Sequence, residues 1–292
     1  MYQKKRQRVA YLFLIPAMVL FLLFVAYPVL NTLKTSLYSL RIQTLSQGGK
    51  FVGFQNFIKL AQDKTMLTSL VFTVGFTVVS VILETVLGMA CALIMNRTFK
   101  GQGFVRAMIL IPWCIPTIVS GLMWSYMFSE SFGVINQALK AIGLSPVMWV
   151  TGVKGAFSSM IIADVWKTSP YMSLLLLSGL KTVPGDIYEA ASIDGAGKIQ
   201  QFFFITLPVI KPVVLVSVMF RTIQSFRIYD LVKVLTDGGP NNVTQSLTMY
   251  TMKQYFTFGD LGYGAALAVL TFAVSLMIAM FFYDGMKSKL EV

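Results

Sequence analysis

The chain has 292 residues, of which 56% are hydrophobic and only 12% are charged, and its mean hydropathy is +0.71. Soluble globular domains carry about 25% charged residues, so this composition excludes an ordinary soluble domain and predicts a polytopic membrane protein. The formal net charge of +12 does not indicate nucleic-acid binding, because no basic stripe with interleaved aromatic residues lies outside the apolar runs.

Six apolar runs are long enough to cross a membrane. A helix rises about 1.5 Å per residue, so roughly 20 residues cross a hydrocarbon core of about 30 Å. Glu84 interrupts the second run, and Asp164 with Lys167 interrupts the fourth, but both runs are otherwise apolar. The sequence therefore predicts an all-α polytopic membrane protein with one transmembrane domain over residues 1–292 and six spans at residues 10–30, 66–95, 107–128, 155–180, 212–235 and 261–285.

The distribution of basic residues predicts the orientation of these spans. With a cytoplasmic N-terminus, the inner segments carry 12 Lys and Arg in 58 residues, whereas the outer segments carry 8 in 86. This excess agrees with the positive-inside rule, and the predicted orientation rests mainly on the basic cluster at residues 4–8. The first outer loop, residues 31–65, opposes the rule with five basic residues. We expect a multi-pass membrane protein, surrounded by lipid, with its N-terminus in the cytoplasm.

Shorter features are predicted within and between the spans. The loop at residues 31–65 is long enough for a hairpin or one helix but too short for an independent core. Apolar residues within 134–142 recur at helical spacing and predict a helix along the membrane surface. Pro112, Pro116 and Pro170 predict kinks within spans, because proline removes a backbone donor and crowds the preceding turn.

Two polar stripes occur on the fourth and fifth spans. Ionisable groups inside a bilayer cost roughly 2.5–3.5 kcal/mol each, so they normally face protein or a water-filled cavity. On each span the stripe follows the spacing i, i+3, i+4 and i+7, which places its members on one helical face. The candidate substrate-binding residues are Asp164, Lys167, Thr168 and Tyr171 on the fourth span and Arg221, Gln224, Ser225 and Ile228 on the fifth.

The stripes allow two interpretations. Hydroxyl, amide and aromatic groups around a midplane cavity would suit a neutral polyhydroxylated ligand. Alternatively, Asp164, Lys167 and Arg221 form an interhelical ion network without a ligand, because pairing alone lowers the cost of burial. Asp164 is expected to pair with Lys167, one turn further along the same helix. Glu84 stands alone in its span and is interpreted as a packing or partner-facing residue.

No metal site, disulfide or catalytic centre is indicated. The chain contains no His, and Cys91 and Cys114 both fall inside predicted spans. It also lacks a Gly-x-x-x-x-Gly-Lys-Ser/Thr loop, so any nucleotide hydrolysis belongs to another chain. We expect a protein that is not an enzyme and that has no cofactor of its own.

The segment at residues 181–211 carries the most specific motif. Residues 186–192 predict a short helix, Gly195 supplies a permissive turn, and residues 196–207 resume helical periodicity until Pro208. A polar helical hairpin between two apolar runs is suited to docking on a partner at the membrane face. The motif consists of Glu189-Ala190-Ala191, then Asp194-Gly195, then Ile205-x-Leu207-Pro208.

This motif resembles the Glu-Ala-Ala loop of permease subunits of ATP-binding-cassette (ABC) importers, whose cytoplasmic loop fits a cleft on the partner ATPase. The wider sequence resembles the sugar-type permeases, particularly the maltose-type subunit that pairs with a second, different permease. Unlike that subunit, this chain has only six predicted spans and no large outer insertion. The residues that carry the resemblance are Phe51-Val52-Gly53-Phe54-Gln55-Asn56-Phe57, Asn96-Arg97, Ile193-Asp194-Gly195-Ala196, Phe226-Arg227-x-Tyr229-Asp230-Leu231 and Leu235-Thr236-Asp237-Gly238-Gly239-Pro240.

The resemblance implies a type I ABC importer permease fold with a cytoplasmic coupling helix. Glu189 would anchor this loop on the ATPase, Ala190 and Ala191 would allow close packing, and Gly195 would allow the bend. Asp194 is the remaining ATPase-coupling residue that the resemblance implies. The implied partners are a second permease subunit, two ABC ATPase subunits that bind ATP and Mg²⁺, and an extracytoplasmic sugar-binding protein. In that family, the Gly-Gly-Pro loop follows the fifth span of the subunit that contributes the sugar-contacting positions. The implied function is ATP-driven carbohydrate uptake, and the implied location is the bacterial inner membrane.

One other class of transporter stays open on the sequence. An ion-coupled secondary transporter could use Glu84, Asp164 and Lys167 as a proton or ion relay. Such a protein needs no docking hairpin, and it would be expected to contain an inverted repeat. The carbohydrate also stays open, as a disaccharide, a longer oligosaccharide or a glycerol-phosphate compound, because Lys167 and Arg221 would suit an anionic ligand.

Overall fold

The computed structural model describes residues 2–287 and the side-chain surroundings of residues 11–283. The side chains of the basic cluster at residues 4–8 lie outside the range whose side-chain surroundings are described. Two short strands, β1 (Tyr38–Ser39) and β2 (Lys50–Phe51), pair as an antiparallel hairpin. The helices in chain order are α1 (Tyr2–Phe21), α2 (Tyr27–Ser36), α3 (Gln55–Gln62), α4 (Lys64–Asn96), α5 (Gln102–Cys114), α6 (Thr117–Met127), α7 (Val134–Ala141), α8 (Val153–Leu180), α9 (Gly185–Ile193), α10 (Lys198–Gln201), α11 (Leu207–Phe226), α12 (Asp230–Leu235), α13 (Leu247–Met252) and α14 (Leu261–Lys287).

Three π-helical turns and one 3₁₀ segment complete the described helical structure. Leu22–Ala26 joins α1 to α2, Phe202–Thr206 joins α10 to α11, and Lys253–Thr257 follows α13, whereas Ile42–Gln47 is the 3₁₀ segment. The chain divides into two compact units. One comprises the residues up to Lys64 with Tyr250–Ala273, and the other comprises Thr65–Met249 with the residues from Val274 onward. That all residues form a single transmembrane domain stays a prediction.

Within the described part of the chain, four helical stretches are long and apolar enough to cross a membrane, namely Tyr11–Ser36, Lys64–Asn96, Lys198–Phe226 and Leu261–Tyr283. The predicted third span is α5 followed by α6, and the two helices meet at 91°. Pro116 directly precedes the second of them, in agreement with the predicted kink there. The predicted fourth span coincides with the 28-residue α8, which Pro170 does not interrupt. Asp164 and Lys167 lower the hydropathy of α8, so apolar composition alone does not identify α8 as a membrane span.

The boundaries of the fifth predicted span, 212–235, are wrong. The helix runs from Lys198 to Phe226, and residues 230–235 form the separate helix α12. Charged residues beyond Phe226 end the apolar stretch, and α12 packs against α6 and α8 instead. Pro208 does not end a helix as predicted, because the helical stretch from Lys198 to Phe226 continues through it. The π-helical turn before it accommodates the change in register.

Within the larger unit, α8 is the central helix and packs against α5, α6, α11 and α12. A β-carbon on Gly88 of α4 would lie 2.8 Å from Met172 Cγ, and one on Gly179 of α8 would lie 3.0 Å from Val213 Cβ. These glycines therefore let α8 approach α4 on one side and α11 on the other, as small residues do between membrane helices. The predicted helix within 134–142 is present as α7.

In the smaller unit, the loop at residues 31–65 contains both a hairpin and a helix. Tyr38 pairs with Phe51 across β1 and β2. The Asn56 side chain on α3 donates hydrogen bonds to the carbonyl oxygens of Ser36, at 2.8 Å, and Tyr38, at 3.0 Å. Asp63 after α3 accepts hydrogen bonds from two tyrosine hydroxyls of the same unit. The loop is thus fixed by hydrogen bonds rather than by a core of its own.

Candidate functional site

A buried ion network joins α4, α8 and α11. Arg221 Nη2 donates to Asp164 Oδ2 at 2.6 Å and to Glu84 Oε1 at 2.8 Å, and Arg221 Nε donates to Glu84 Oε2. The side chains are 5%, 9% and 0% exposed for Arg221, Asp164 and Glu84. One planar guanidinium can serve two carboxylates with directed hydrogen bonds, which offsets part of the cost of burying three charges.

Thr168 connects this network to the backbone of α8. Its hydroxyl lies 2.7 Å from Glu84 Oε1 and 2.6 Å from the carbonyl oxygen of Asp164, and Arg221 Nη2 lies 3.3 Å away. The hydroxyl can donate to one oxygen and accept from the guanidinium. The polar atoms of Asp164, Thr168 and Arg221 are therefore directed at one another and at Glu84. No group of three or more His, Cys, Asp or Glu that could hold a metal ion occurs among residues 2–287.

The network differs from the predicted pairing. Asp164 pairs with Arg221 of α11 and not with Lys167 of its own helix. Glu84 is a full member of the network, so the interpretation of it as a packing or partner-facing residue does not hold. One sequence signal could have identified it, because a carboxylate and a guanidinium that are each isolated in an apolar span reduce their cost of burial most by pairing.

Lys167 and Tyr171 lie on the same face of α8 and are half-buried. Lys167 forms no ion pair with any described side chain. The Tyr171 ring stacks on Trp113 of α5, with ring centroids 5.6 Å apart and an angle of 20° between the planes. Trp113 is 43% exposed, so the described chain does not enclose this aromatic pair.

The α11 stripe separates into three kinds of residue. The exposed side chain of Gln224 makes no hydrogen bond to the described residues. Ser225 is buried, and its hydroxyl finds no partner among them. Ile228 lies beyond the end of α11, so it does not continue the helical face, and its carbonyl oxygen accepts a hydrogen bond from Ser246 Oγ at 2.7 Å. Gln224 and Ser225 thus keep unused hydrogen-bonding capacity.

The predicted docking hairpin contains a short helix closed by a glycine turn. Helix α9 carries Glu189, Ala190 and Ala191 and ends at Ile193, close to the predicted bounds. After it, the Gly195 N–H donates to Ser192 O at 3.2 Å and the Ala196 N–H donates to Ala191 O at 2.9 Å. This is the Schellman pattern, and Gly195 takes the left-handed conformation it requires, with φ +80°.

Hydrogen bonds brace this hairpin against the chain that follows. The hydroxyls of Tyr188 and Thr206 lie 2.8 Å apart. Gln201 Nε2 donates to Ser192 Oγ at 2.9 Å and to Ala196 O at 3.0 Å. The bracing leaves most of the predicted coupling residues at the surface, with Glu189, Ala190, Asp194 and Gly195 exposed and Ala191 half-buried. The hairpin is therefore a rigid projection with an open helical face.

The fold matches that of solved ABC transporter permeases. A chain of a bacterial ABC transporter involved in the import of the acidic polysaccharide alginate superposes with a TM-score of 0.84, covering 99% of this chain and 98% of the other at 22% identity. A chain of a bacterial alginate ABC transporter in complex with a pentasaccharide-bound periplasmic protein gives 0.82, over 96% and 94%, also at 22% identity. The chain has the type I ABC importer permease fold.

Sequence relatives extend over nearly the whole chain. It is 42% identical over 272 residues to a trehalose/maltose transport system permease protein of Thermococcus litoralis, covering 93% of this chain and 91% of the relative. It is 37% identical over 280 residues to a sulfoquinovosyl glycerol transport system permease protein of Agrobacterium fabrum, covering 96% and 91%. A trehalose transport system permease protein of Mycobacterium tuberculosis is 37% identical over 276 residues, covering 94% and 88%.

A family match covers the network and the hairpin together. The model of the binding-protein-dependent transport system inner membrane component matches residues 84–292. Nothing in these findings supports the ion-coupled alternative, and the match identifies a transport subunit rather than an enzyme. The chain therefore belongs to the family of binding-protein-dependent transport system inner membrane components.

Proposed function

We propose that this chain forms the translocation pathway for a small glycoside in an ATP-driven importer. The names of its relatives refer to trehalose, maltose and sulfoquinovosyl glycerol, which are glycosides of one or two sugar rings. Arg221 is paired with two carboxylates, so Lys167 is the one cation of the two stripes without an ion pair in the described chain. The two carboxylates of Glu84 and Asp164 are balanced by the two cations Arg221 and Lys167, so the formal charge sums to zero and favours a neutral glycoside over a strongly anionic one.

The importer requires further chains. The partners are a second permease subunit, two ABC ATPase subunits that bind ATP and Mg²⁺, and an extracytoplasmic sugar-binding protein that delivers the substrate. The N-terminus and the hairpin at residues 181–211 lie on the cytoplasmic side. This arrangement agrees with the excess of Lys and Arg in the inner segments.

The observation that carries the proposal is the braced hairpin with its open helical face. A rigid element can transmit a displacement, whereas a flexible loop would absorb it. Glu189 and Asp194 make polar contacts with the ATPase, and Ala190 and Ala191 allow its surface to approach closely. Gly195 holds the turn, so the movement of the ATPase reaches α11 through the segment that follows it.

The two stripes divide the work of substrate binding. Tyr171 stacks on a sugar ring, while Lys167, Gln224 and Ser225 offer hydrogen bonds to its hydroxyl groups. Asp164, Thr168 and Arg221 act through the ion network, which fixes α8 and α11 in register, and Ile228 borders the pathway beyond the end of α11. The exposed side chain of Gln224 supports this division, because it makes no hydrogen bond to the described residues.

ATP hydrolysis by the reconstituted complex tests the coupling role. Glu189→Ala and Gly195→Val are expected to abolish the stimulation of hydrolysis by substrate-loaded binding protein, while the permease still inserts in the membrane. Gly195→Val acts by strain, because a β-branched residue resists φ +80°. Lys140→Ala on α7 is the matched surface control and should behave as the wild type. Normal stimulation in both hairpin variants would contradict the proposal.

Substrate dependence tests the stripe residues. Tyr171→Ala and Gln224→Ala each remove an interaction worth about 0.5–1.5 kcal/mol, so each should raise the maltose or trehalose concentration for half-maximal uptake by up to about tenfold. The measurement is uptake into proteoliposomes that contain the complete complex. If the two variants keep wild-type substrate dependence, the stripes do not bind the sugar.

A further inference from the structure

A groove at the base of the coupling hairpin contains two cationic side chains. It encloses about 660 Å³ and lies between the C-terminal end of α4, helix α9 and the segment that begins with α10. Arg97 and Lys198 supply its charge, and Asn96 supplies an amide. Leu93, Phe202 and Phe203 form apolar walls. Neither the ion network nor the docking face of α9 uses these side chains.

The two cations have no counterion within the described chain. Neither Arg97 nor Lys198 forms an ion pair with a described carboxylate. The Met95 carbonyl oxygen at the end of α4 already accepts hydrogen bonds from Gln102 Nε2, at 3.0 Å, and Arg106 Nη2, at 2.6 Å. Arg97 is therefore not needed to cap its own helix. Two positive charges that face one groove repel each other, and an anion between them removes that repulsion.

The walls and the position of the groove indicate what kind of anion fits. Phe203 is 56% exposed and Ile199, which also lines the groove, is 75% exposed. Arg97 directly follows the apolar stretch Lys64–Asn96, and Lys198 begins the stretch Lys198–Phe226. The cations thus lie at the ends of two membrane-spanning stretches, at the level of lipid headgroups. The exposed Phe203 ring and Ile199 side chain beside two cations suit a ligand with a phosphate at one end and hydrocarbon at the other.

We propose that this groove binds the phosphate headgroup of an anionic phospholipid. Arg97 and Lys198 contact the phosphodiester, the Asn96 amide donates to one of its oxygens, and the acyl chains lie against Phe203. Free phosphate would use the cations but not the apolar walls. A purely acidic segment of a partner protein would likewise leave Phe203 and Ile199 without hydrocarbon contact.

The lipid also contacts the coupling hairpin. Tyr188 of α9 lines the same groove, and its hydroxyl lies 2.8 Å from Thr206 Oγ1. A headgroup in the groove therefore braces the hairpin against the bilayer surface, next to the bond that already fixes it. This assignment does not depend on the identity of the transported sugar.

Native mass spectrometry of the assembled transporter tests the assignment. The complex is titrated with phosphatidylglycerol or with phosphatidylcholine, and retained lipid is counted. The wild type should retain phosphatidylglycerol in preference, and Arg97→Gln with Lys198→Gln should raise the half-saturating concentration by about 10- to 30-fold. Lys100→Gln with Lys181→Gln removes the same charge from exposed positions outside the groove and should bind as the wild type. Arg97→Lys with Lys198→Arg keeps both charges and should retain the lipid.

Three results would each overturn the assignment. Equal retention by the groove variant and the Lys100 and Lys181 control would show that the groove does not bind the lipid. Displacement of phosphatidylglycerol by inorganic phosphate alone would indicate a site for free phosphate. Loss of an ATPase subunit from the groove variant, with phosphatidylglycerol retained, would indicate a protein partner. Lipid retention is counted without transport, so its outcome is separate from that of the uptake experiments.

Discussion

At the scale of single residues, Arg221 is the group on which the contact between α4, α8 and α11 depends most. Its guanidinium donates to Glu84 and Asp164 in a region that is almost completely buried. Removing one member of a buried ion pair leaves an uncompensated charge, which typically costs about 3–5 kcal/mol. The network contains two carboxylates and one guanidinium, so substitutions at the three positions are not equivalent.

We expect Arg221→Met to lower the melting temperature of the complex most, because it leaves two carboxylates facing each other. Glu84→Ala should cost less, and Glu84→Gln should stay close to the wild type, because it leaves a neutral pair and keeps a hydrogen-bonding side chain. Lys167→Met is the control on the same face of α8. The measurement is thermal denaturation of the purified complex, and an unchanged melting temperature for Arg221→Met would contradict the role given to the network.

A tyrosine in the smaller unit should make stability depend on alkaline pH. Burial and the 2.5 Å hydrogen bond to Asp63 raise the pKa of Tyr250 from 10.0 to about 12. A raised pKa means that the protonated form is favoured in the folded state, so this contribution is complete below about pH 10 and is lost as the pH rises towards 12. Tyr250→Phe should therefore reduce the slope of stability against pH in that window, as measured by denaturation at each pH. An unchanged slope would contradict the assignment.

The sequence predicts which residues share a polar face better than it predicts their partners. The spacing of Asp164 and Thr168 with Lys167 identifies one face of α8, because that spacing follows from helix geometry. It does not identify Glu84, which lies on a different helix and has no periodic signal of its own. The choice of Arg221 over Lys167 as the partner of Asp164 depends on how α8 and α11 pack, which periodicity within one helix does not report.

At the scale of helices, the approach of α4 to α8 depends on Gly88, one turn after Glu84. A valine there would place its β-carbon 2.8 Å from Met172 Cγ and 3.2 Å from the Ser173 backbone nitrogen, so the helices would have to separate. Overpacking of this kind costs about 1–3 kcal/mol. We expect Gly88→Val to lower both the melting temperature and the yield of the complex.

Gly75 provides a matched control for that substitution. It lies on the same helix, and a β-carbon there meets nothing within 4 Å. Gly75→Val should therefore leave the yield and melting temperature near those of the wild type. If both valine variants behaved alike, the effect would come from the helix propensity of valine and not from helix packing.

Hydropathy predicts that the helical segments exist and misplaces some of their ends. The first, second and sixth predicted spans agree with the structure to within several residues, because long apolar runs have no other stable form in a membrane. The prediction of the fifth span is wrong at its end, because the charged residues there belong to α12, which packs against α6 and α8. The prolines predict that the third span is kinked but not by how much, so the 91° angle between α5 and α6 could not be predicted from the sequence.

At the scale of the whole molecule, the orientation in the membrane is the prediction with the widest consequences. In a variant with Cys91→Ala and Cys114→Ser, Leu45→Cys should react with a membrane-impermeant maleimide added outside intact cells. Glu189→Cys should react only after the membrane is opened, because the N-terminus and the coupling hairpin are expected to lie inside. Both positions are exposed, so burial does not account for a difference. The opposite labelling pattern would reverse the topology.

The family could be predicted from sequence more securely than the substrate. The distance in sequence between the Glu-Ala-Ala helix and Gly195 is fixed, because the Schellman turn at the end of that helix requires a glycine with positive φ at this position. The substrate depends on side chains such as Tyr171 and Gln224, whose surroundings follow from the packing of several helices. Trp113 illustrates this, because its stack with Tyr171 brings together residues of α5 and α8.

The most direct test of the central claim places a photo-crosslinking amino acid at position 189 in the complete transporter. Irradiation should link this chain to the ATPase subunit, with the yield changing when ATP binds, whereas the same probe at position 140 should give no such product. A product with the extracytoplasmic sugar-binding protein, or no product with the ATPase in an assembled complex, would contradict the coupling role of the hairpin.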